Sequence, residues 1–139
     1  MVAGPGAPNP SGLPGFNAVY GITAHAGGGN ANATLLNGWL NTITTVVTAA
    51  DSVMLPPGYA GAEITVVNRG ANSAQVFGFQ GTQQGDVVQD GIVPVAGGAP
   101  VVTGVALAAN AVGIFWCNIG QGGPTNAISP AMWTFKAIA

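Results

Sequence analysis

Few side chains in this sequence have the chemistry of a catalytic group. His25 is the single histidine, and we expect it in a surface loop because no neighbouring carboxylate would orient it as a general base. Cys117 is the single cysteine, so it has no intrachain disulfide partner, and we expect it to be buried as a small hydrophobic residue. A Cys–His dyad would also need an orienting group, for which the sequence offers no candidate. A small hydrolase that uses His25 stays an alternative with little support.

The sequence also contains few residues that could form a metal or nucleotide site. Asp86 and Asp90 lie four residues apart and could offer oxygen ligands to Ca²⁺, but such a site normally assembles about six to eight oxygens. We interpret both aspartates as turn residues. The glycine clusters lack the Lys-Ser/Thr ending and the G-x-G-x-x-G spacing of phosphate-binding loops. The sequence therefore predicts no catalytic residue, no metal site, no cofactor and no enzymatic activity.

The composition is dominated by a lack of charge. Only 4% of the residues are charged, against about 25% in an ordinary soluble domain. The uninterrupted apolar runs are short, whereas a membrane-spanning helix needs about 20 apolar residues, and no basic segment precedes an apolar stretch as it does in a signal peptide. Arg69 and Lys136 are too few basic residues to neutralise a phosphate backbone. We therefore expect neither a membrane nor a nucleic acid as a partner.

Short segments rich in β-formers, broken by Gly, Pro or Asn, follow one another from residue 19 onward. Residues 62–68 alternate, which places Ile64 and Val66 on one face of a strand and Glu63 and Thr65 on the other. Other segments with strand composition are 19–24, 41–48, 52–55, 74–79, 92–95, 101–107, 111–118 and 131–138.

The spacing of these segments predicts an all-β fold. About eight short strands with turn signals roughly every ten residues are typical of a jelly-roll-like β-sandwich. Residues 69–73 have the composition of a hairpin loop, 80–91 is a looser stretch, and 34–40 could form a helical turn. No internal repeat of about 20–50 residues is visible, so we do not expect a solenoid.

Residues 1–18 differ from the rest of the chain. They contain four prolines and four glycines without a period, which predicts an extended, polyproline-like arm ahead of a sandwich domain at 19–139. The arm is either a free terminus or a segment that lies on a neighbouring subunit. In the second case Leu13 and Phe16 are its apolar anchors.

Adjacent Phe115 and Trp116 supply a candidate contact on the domain itself. Successive strand residues point to opposite faces, so the two rings cannot both enter the core. One of them must meet a ligand, a partner subunit or solvent, and an exposed aromatic in a chain with so little charge suggests a protein contact. We take Trp116 as a contact candidate beside Leu13 and Phe16.

Two stretches carry a resemblance to a family. DSVMLPPGYAGAEITVVNRGANSAQVFGFQG (51–81) has a strand ending in Leu-Pro, a Val-rich strand ending in Asn-x-Gly-Ala-Asn and a Val-aromatic strand closing on Gly. VALAANAVGIFWCNIG (105–120) follows with an aromatic-x-Cys strand. The pattern, which covers about 42–138, resembles the small all-β capsid decoration (cement) proteins of tailed bacteriophages, and also modules of tail fibres. The family's closing Gly-x-Trp is displaced here, since Trp133 follows an insertion at 122–130; the arm and the loop 83–100 lie outside the pattern.

The resemblance implies a structural virion protein. Such a protein, made in the host cytoplasm, binds the outer surface of the capsid and cements neighbouring subunits of the major capsid protein. We expect it to associate with itself as a homotrimer, or as a dimer, and to meet the capsid through its arm and strand loops. The alternative is a tail-fibre or receptor-binding β-sandwich module, in which Trp39, Tyr59 or Trp116 stacks on a carbohydrate and Asp86 and Asp90 bond to it.

Overall fold

The chain folds as an all-β protein. A computed structural model describes residues 17–83, 85–120 and 130–138. In these ranges it contains no helix and twelve short strands, where the sequence predicts about eight. The strands are β1 (Ala18–Thr23), β2 (Thr34–Leu35), β3 (Leu40–Thr45), β4 (Asp51–Met54), β5 (Glu63–Asn68), β6 (Ala74–Phe77), β7 (Gln80–Gln83), β8 (Asp86–Gln89), β9 (Gly91–Pro94), β10 (Val105–Leu107), β11 (Val112–Ile119) and β12 (Met132–Ile138).

Two larger sheets enclose one hydrophobic core. The six-stranded sheet has the order β1-β3-β5-β11-β12-β9, and the four-stranded sheet has the order β10-β6-β4-β2; β7 and β8 pair separately as a hairpin. Ile64 and Phe115 from the first sheet and Val53, Val76 and Leu107 from the second belong to a single buried cluster. The predicted all-β class is confirmed.

The first half of the chain winds between these two sheets. Strands β1, β3 and β5 lie side by side and parallel in the six-stranded sheet, while β2, β4 and β6 do the same in the four-stranded sheet. Two parallel strands need a crossover connection between them. Here a strand of the other sheet lies within each crossover: β2 between β1 and β3, for example, and β3 between β2 and β4. Of the nine strand pairings among the described residues, five are parallel. They do not confirm a jelly roll, which is built of antiparallel Greek keys.

This coil of parallel strands in the first half of the chain is not predicted by the sequence pattern. Leu40 pairs with Ala18 on one side and Thr65 on the other, which gives offsets of 22 and 25 residues. The register of β1 on β3 also shifts around Gly21, which has a φ of +85°. Because the coils differ in length and β1 carries a bulge, the winding leaves no fixed period in the sequence.

Three local predictions are corrected by the strand partners. Residues 69–73 do not close a hairpin, because they lead from β5 in one sheet to β6 in the other. The looser stretch 80–91 contains the β7–β8 hairpin. Residues 34–40 form no helical turn; they include β2, which pairs with β4. Sequence pattern identifies strands, but strand partners depend on contacts distant in the chain.

Buried asparagine side chains hold the corners where the chain changes sheets. Asn68, at the end of β5, is fully buried. Its Nδ2 donates to the carbonyl oxygens of Asn72 and Leu107, each at 2.9 Å, and its Oδ1 accepts from the Gly70 N–H at 2.9 Å. Asn72 in turn donates to the carbonyl oxygen of Val46 at 3.0 Å. These bonds satisfy backbone groups that have no ladder partner at the corner.

Asn41 and Asp51 play the same part at two other corners. Asn41, fully buried, accepts from the Gly38 N–H at 3.0 Å and donates to the Gly38 carbonyl at 2.8 Å. The Asp51 carboxylate, 1% exposed, accepts from the N–H groups of Val47 and Thr48, each at 3.0 Å. The Asp51 side chain thus bonds to the backbone of the segment that leads into β4.

Replacing Asn68 should therefore be costly. We expect Asn68→Ala to lower the free energy of unfolding by about 3 kcal/mol, because it leaves buried backbone groups without partners. The matched substitution Asn32→Ala, in an exposed loop, should change it by less than about 0.5 kcal/mol. Urea unfolding of both variants measures the difference, and equal effects would show that the corner bonds are not stabilising.

Candidate functional site

The three tryptophans lie at the same end of the six-stranded sheet. Trp39 directly precedes β3, and its carbonyl accepts from the Thr65 N–H of β5 at 2.8 Å. Trp116 pairs with Glu63, the first residue of β5, and Trp133 pairs with Cys117 near the end of β11. The starts of β3, β5 and β12 and the end of β11 therefore bring together aromatic residues from distant parts of the chain.

A pocket of about 270 Å³ opens at this end. Its walls include Trp39, Tyr59, Pro56 and Pro57, and Asn37 supplies a side-chain amide. Tyr59 is 73% exposed. Apolar and aromatic walls with few polar groups are typical of ligand-binding pockets. The sequence named Trp39 and Tyr59 as stacking candidates, and the fold places them on one pocket.

Gly58 lets the loop that carries Tyr59 lie against the sheet. A Cβ at this position would stand 2.6 Å from the Cβ of Ala131 and 2.9 Å from the Sγ of Cys117. A larger residue would therefore push the Pro-Pro-Gly loop away from β11 and β12. The close approach of this loop to the sheet, rather than an unusual backbone conformation, explains why residue 58 is a glycine.

Trp133 forms the floor of the pocket. Its side chain is fully buried, and its indole Nε1–H has no hydrogen-bond partner. A buried donor without an acceptor costs about 1–3 kcal/mol, and such groups are rare enough to need an explanation.

Phe115 and Trp116 point to opposite sides of β11, as the sequence predicts. Phe115 is fully buried and stacks on Phe135, with ring centroids 4.7 Å apart. Trp116 faces away from the core, and its Nε1 donates to Oε1 of Glu63 at 3.1 Å. Trp116 therefore lies on the surface, and its role as a partner contact stays a prediction.

The side of the six-stranded sheet that points away from the core is called here the outer face. On its central strands it consists of the residues that alternate with buried Ile43, Ile64, Phe115 and Trp133. Apart from one glutamate, one lysine and one asparagine, all of them are apolar or threonine. They are Leu40, Thr42, Thr44, Glu63, Thr65, Val67, Val112, Ile114, Trp116, Asn118, Met132, Thr134, Lys136 and Ile138.

The candidates for catalysis and metal binding lie apart. His25 forms a two-way backbone bridge with Ser52, with N···O distances of 2.8 and 3.0 Å. Asp90 is fully buried, and its Oδ1 accepts from the Ala131 N–H at 2.8 Å, so it is not available as a surface ligand for a sugar. Among residues 17–83, 85–120 and 130–138, no three His, Cys, Asp or Glu side chains are grouped as a metal site would require. The same part of the chain contains no helix able to cross a membrane.

Two of the predicted contact residues, Leu13 and Phe16, lie outside the described residues, as does most of the arm. Strand β1 begins at Ala18, so the last residue of the predicted arm belongs to the sheet. Comparison with protein-family models, with curated proteins and with solved structures found no match to this chain. Functional residues are therefore assigned from geometry alone.

Cys117 is buried, as predicted. Only 3% of its surface is exposed, and its Sγ donates to the Ile119 carbonyl at 3.4 Å. Burial raises the pKa of the Cys117 thiol to about 11; the negative charge of Asp90 also raises it, while the Ile119 contact lowers it. A thiol of this kind is a poor nucleophile at neutral pH.

The raised pKa of Cys117 predicts a loss of stability in alkali. From about pH 9, the ordinary value, to about pH 11, the unfolded chain loses the thiol proton while the folded chain keeps it. The free energy of unfolding should therefore fall with pH in this window, by at most about 1.4 kcal/mol per pH unit for this one proton. Urea unfolding between pH 8 and 11 should show a steeper fall for the wild type than for Cys117→Ala. Identical slopes would contradict the effect.

Proposed function

We propose that this protein is a structural component of a bacteriophage virion that binds the outer surface of the capsid and cements neighbouring subunits of the major capsid protein. The observation that carries the proposal is the composition of the outer face. A sheet face on a monomeric protein normally exposes polar residues, yet this one exposes Leu40 to 42% and Ile138 to 47%. A surface of this kind favours contact with other protein.

The physical mechanism is mass action. A protein that binds only the assembled shell stabilises it in proportion to its occupancy. Each copy that bridges two capsid subunits also adds avidity, so single contacts can be weak. Such a role needs a surface of complementary shape with neutral hydrogen-bonding groups, and it needs no reactive side chains. A chain with six charged residues fits this requirement.

The capsid contact is assigned to the Pro/Gly-rich arm, with Leu13 and Phe16 as anchors, together with the strand loops. The arm enters the sheet at Asn17, whose carbonyl accepts from the N–H groups of Trp39 and Leu40 at 3.0 and 3.3 Å. Asn17 is therefore fixed to the domain at the aromatic end of the sheet.

Co-sedimentation with empty capsids of the encoding phage tests the proposal. We expect the full chain to pellet with the capsids, and removal of residues 1–16 to lower occupancy at least tenfold. A variant in which a Gly/Ser segment of equal length replaces 1–16 separates the loss of anchors from the loss of length. Absence of binding by the full chain would overturn the function, whereas full occupancy by both variants would overturn only the role of the arm.

A second candidate function is carbohydrate binding, as in a tail-fibre module. It is favoured by the pocket that Trp39 and Tyr59 share, since aromatic faces and the Asn37 amide suit a neutral polar ligand. Of the two predicted aspartate ligands, Asp90 does not support it, because its side chain is buried.

Glycan-array binding separates the two functions. If the pocket binds a sugar, Tyr59→Ala should weaken binding at least tenfold, because a stacking platform is lost. Tyr20→Ala is the matched control, since Tyr20 is 75% exposed against 73% for Tyr59 and lies on β1, away from the pocket. No glycan bound by the wild type, with capsid binding intact, would exclude the second function.

A further inference from the structure

The two charges of the outer face occupy related positions. Glu63 on β5 and Lys136 on β12 are separated by β11. Glu63 pairs with Trp116, which pairs with Thr134, while Lys136 pairs with Ile114. With strands about 4.8 Å apart and a rise of about 3.3 Å per residue, the two charged positions lie about 12 Å from each other across the face.

The midpoint between these charges falls on β11. The nearest outward side chains there are Trp116 and Ile114, which are both apolar and partly exposed. The outer face therefore has an aromatic and aliphatic centre, with one negative and one positive charge placed symmetrically about it. Aromatic residues at the centre of a patch are the usual source of binding energy in protein interfaces.

We infer that the outer face binds the outer face of a second copy of this chain, so that Glu63 of each copy meets Lys136 of the other around a centre formed by the two Trp116 side chains. The inference deepens the proposed function, because it names the surface through which copies associate, and it rests on that assembly role. It selects a dimer, since a contact between identical faces has two-fold symmetry.

The charge pattern is what selects a second copy as the occupant. A two-fold axis that lies in the interface plane and bisects the line from Glu63 to Lys136 exchanges the two positions. Both ion pairs then form together, and no charge of the face is left without an opposite partner. Two sheets packed face to face lie about 10 Å apart, which long Glu and Lys side chains can span from both sides.

The outer face is also large enough. Six strands at about 4.8 Å spacing and roughly six residues in length present a projected area of roughly 600 Å². Accessible area exceeds projected area because side chains stand out from the sheet, so the face approaches the roughly 800 Å² per partner of a standard interface. Its threonines add neutral hydrogen-bonding groups.

Charge reversal tests the pairing by sedimentation velocity of the full chain. The wild type should be a dimer. Glu63→Lys and Lys136→Glu, each alone, place like charges opposite each other twice and should weaken dimerisation at least tenfold. The double variant Glu63→Lys/Lys136→Glu should recover the dimer, and an equimolar mixture of the two single variants should form heterodimers.

The mixture is the decisive sample, because Glu63→Lys also removes the acceptor of the Trp116 indole N–H. Lost packing or misfolding would not be repaired by mixing, whereas restored charge complementarity would. Arg69→Glu, in the loop after β5, is the matched reversal off the face and should leave the dimer intact.

A wild-type monomer, a trimer, or a dimer that tolerates both single reversals would overturn the inference. The same preparations tested on capsids keep the two proposals apart. Capsid binding by a monomeric wild type would leave the proposed function standing without the dimer. A charge-paired dimer that binds no capsid would support the proposed interface and overturn the proposed function.

Discussion

The corners where the chain passes from one sheet to the other impose the constraint on which this fold depends. At each corner the peptide groups lose their ladder partners and must be satisfied in another way. Buried Asn41 and Asn68 and the buried carboxylate of Asp51 supply those partners. Two of these three residues are neutral amides, so most of these corner bonds need no charged side chain.

The outer surface also has few charged side chains. The outer face exposes threonine and apolar residues between Glu63 and Lys136, and the aromatic end carries a pocket walled by Trp39 and Tyr59. Ordinary soluble domains keep copies apart with mixed surface charge. A chain without that protection is better suited to an assembly, where its faces are covered by protein.

The sequence correctly predicts features that depend on residues adjacent in the chain. Alternation in 62–68 correctly separated buried Ile64 and Val66 from Glu63, and adjacency correctly set Phe115 and Trp116 on opposite faces. It missed the coil of parallel strands, because coils of 22 and 25 residues leave no period. It also missed the positions of Glu63 and Lys136 on either side of β11, since the two residues are far apart in sequence and the strand order depends on tertiary contacts.

In the proposed function this chain lies on the outside of a shell with its arm against the capsid, and in the further inference its outer face contacts a second copy. Cryo-electron microscopy of the intact phage particle tests that placement most directly. The account predicts icosahedrally ordered density for the sandwich on the outer surface of the head, in pairs that meet through the six-stranded sheet. Density for this chain at the tail alone, or particles that lack the chain, would contradict it.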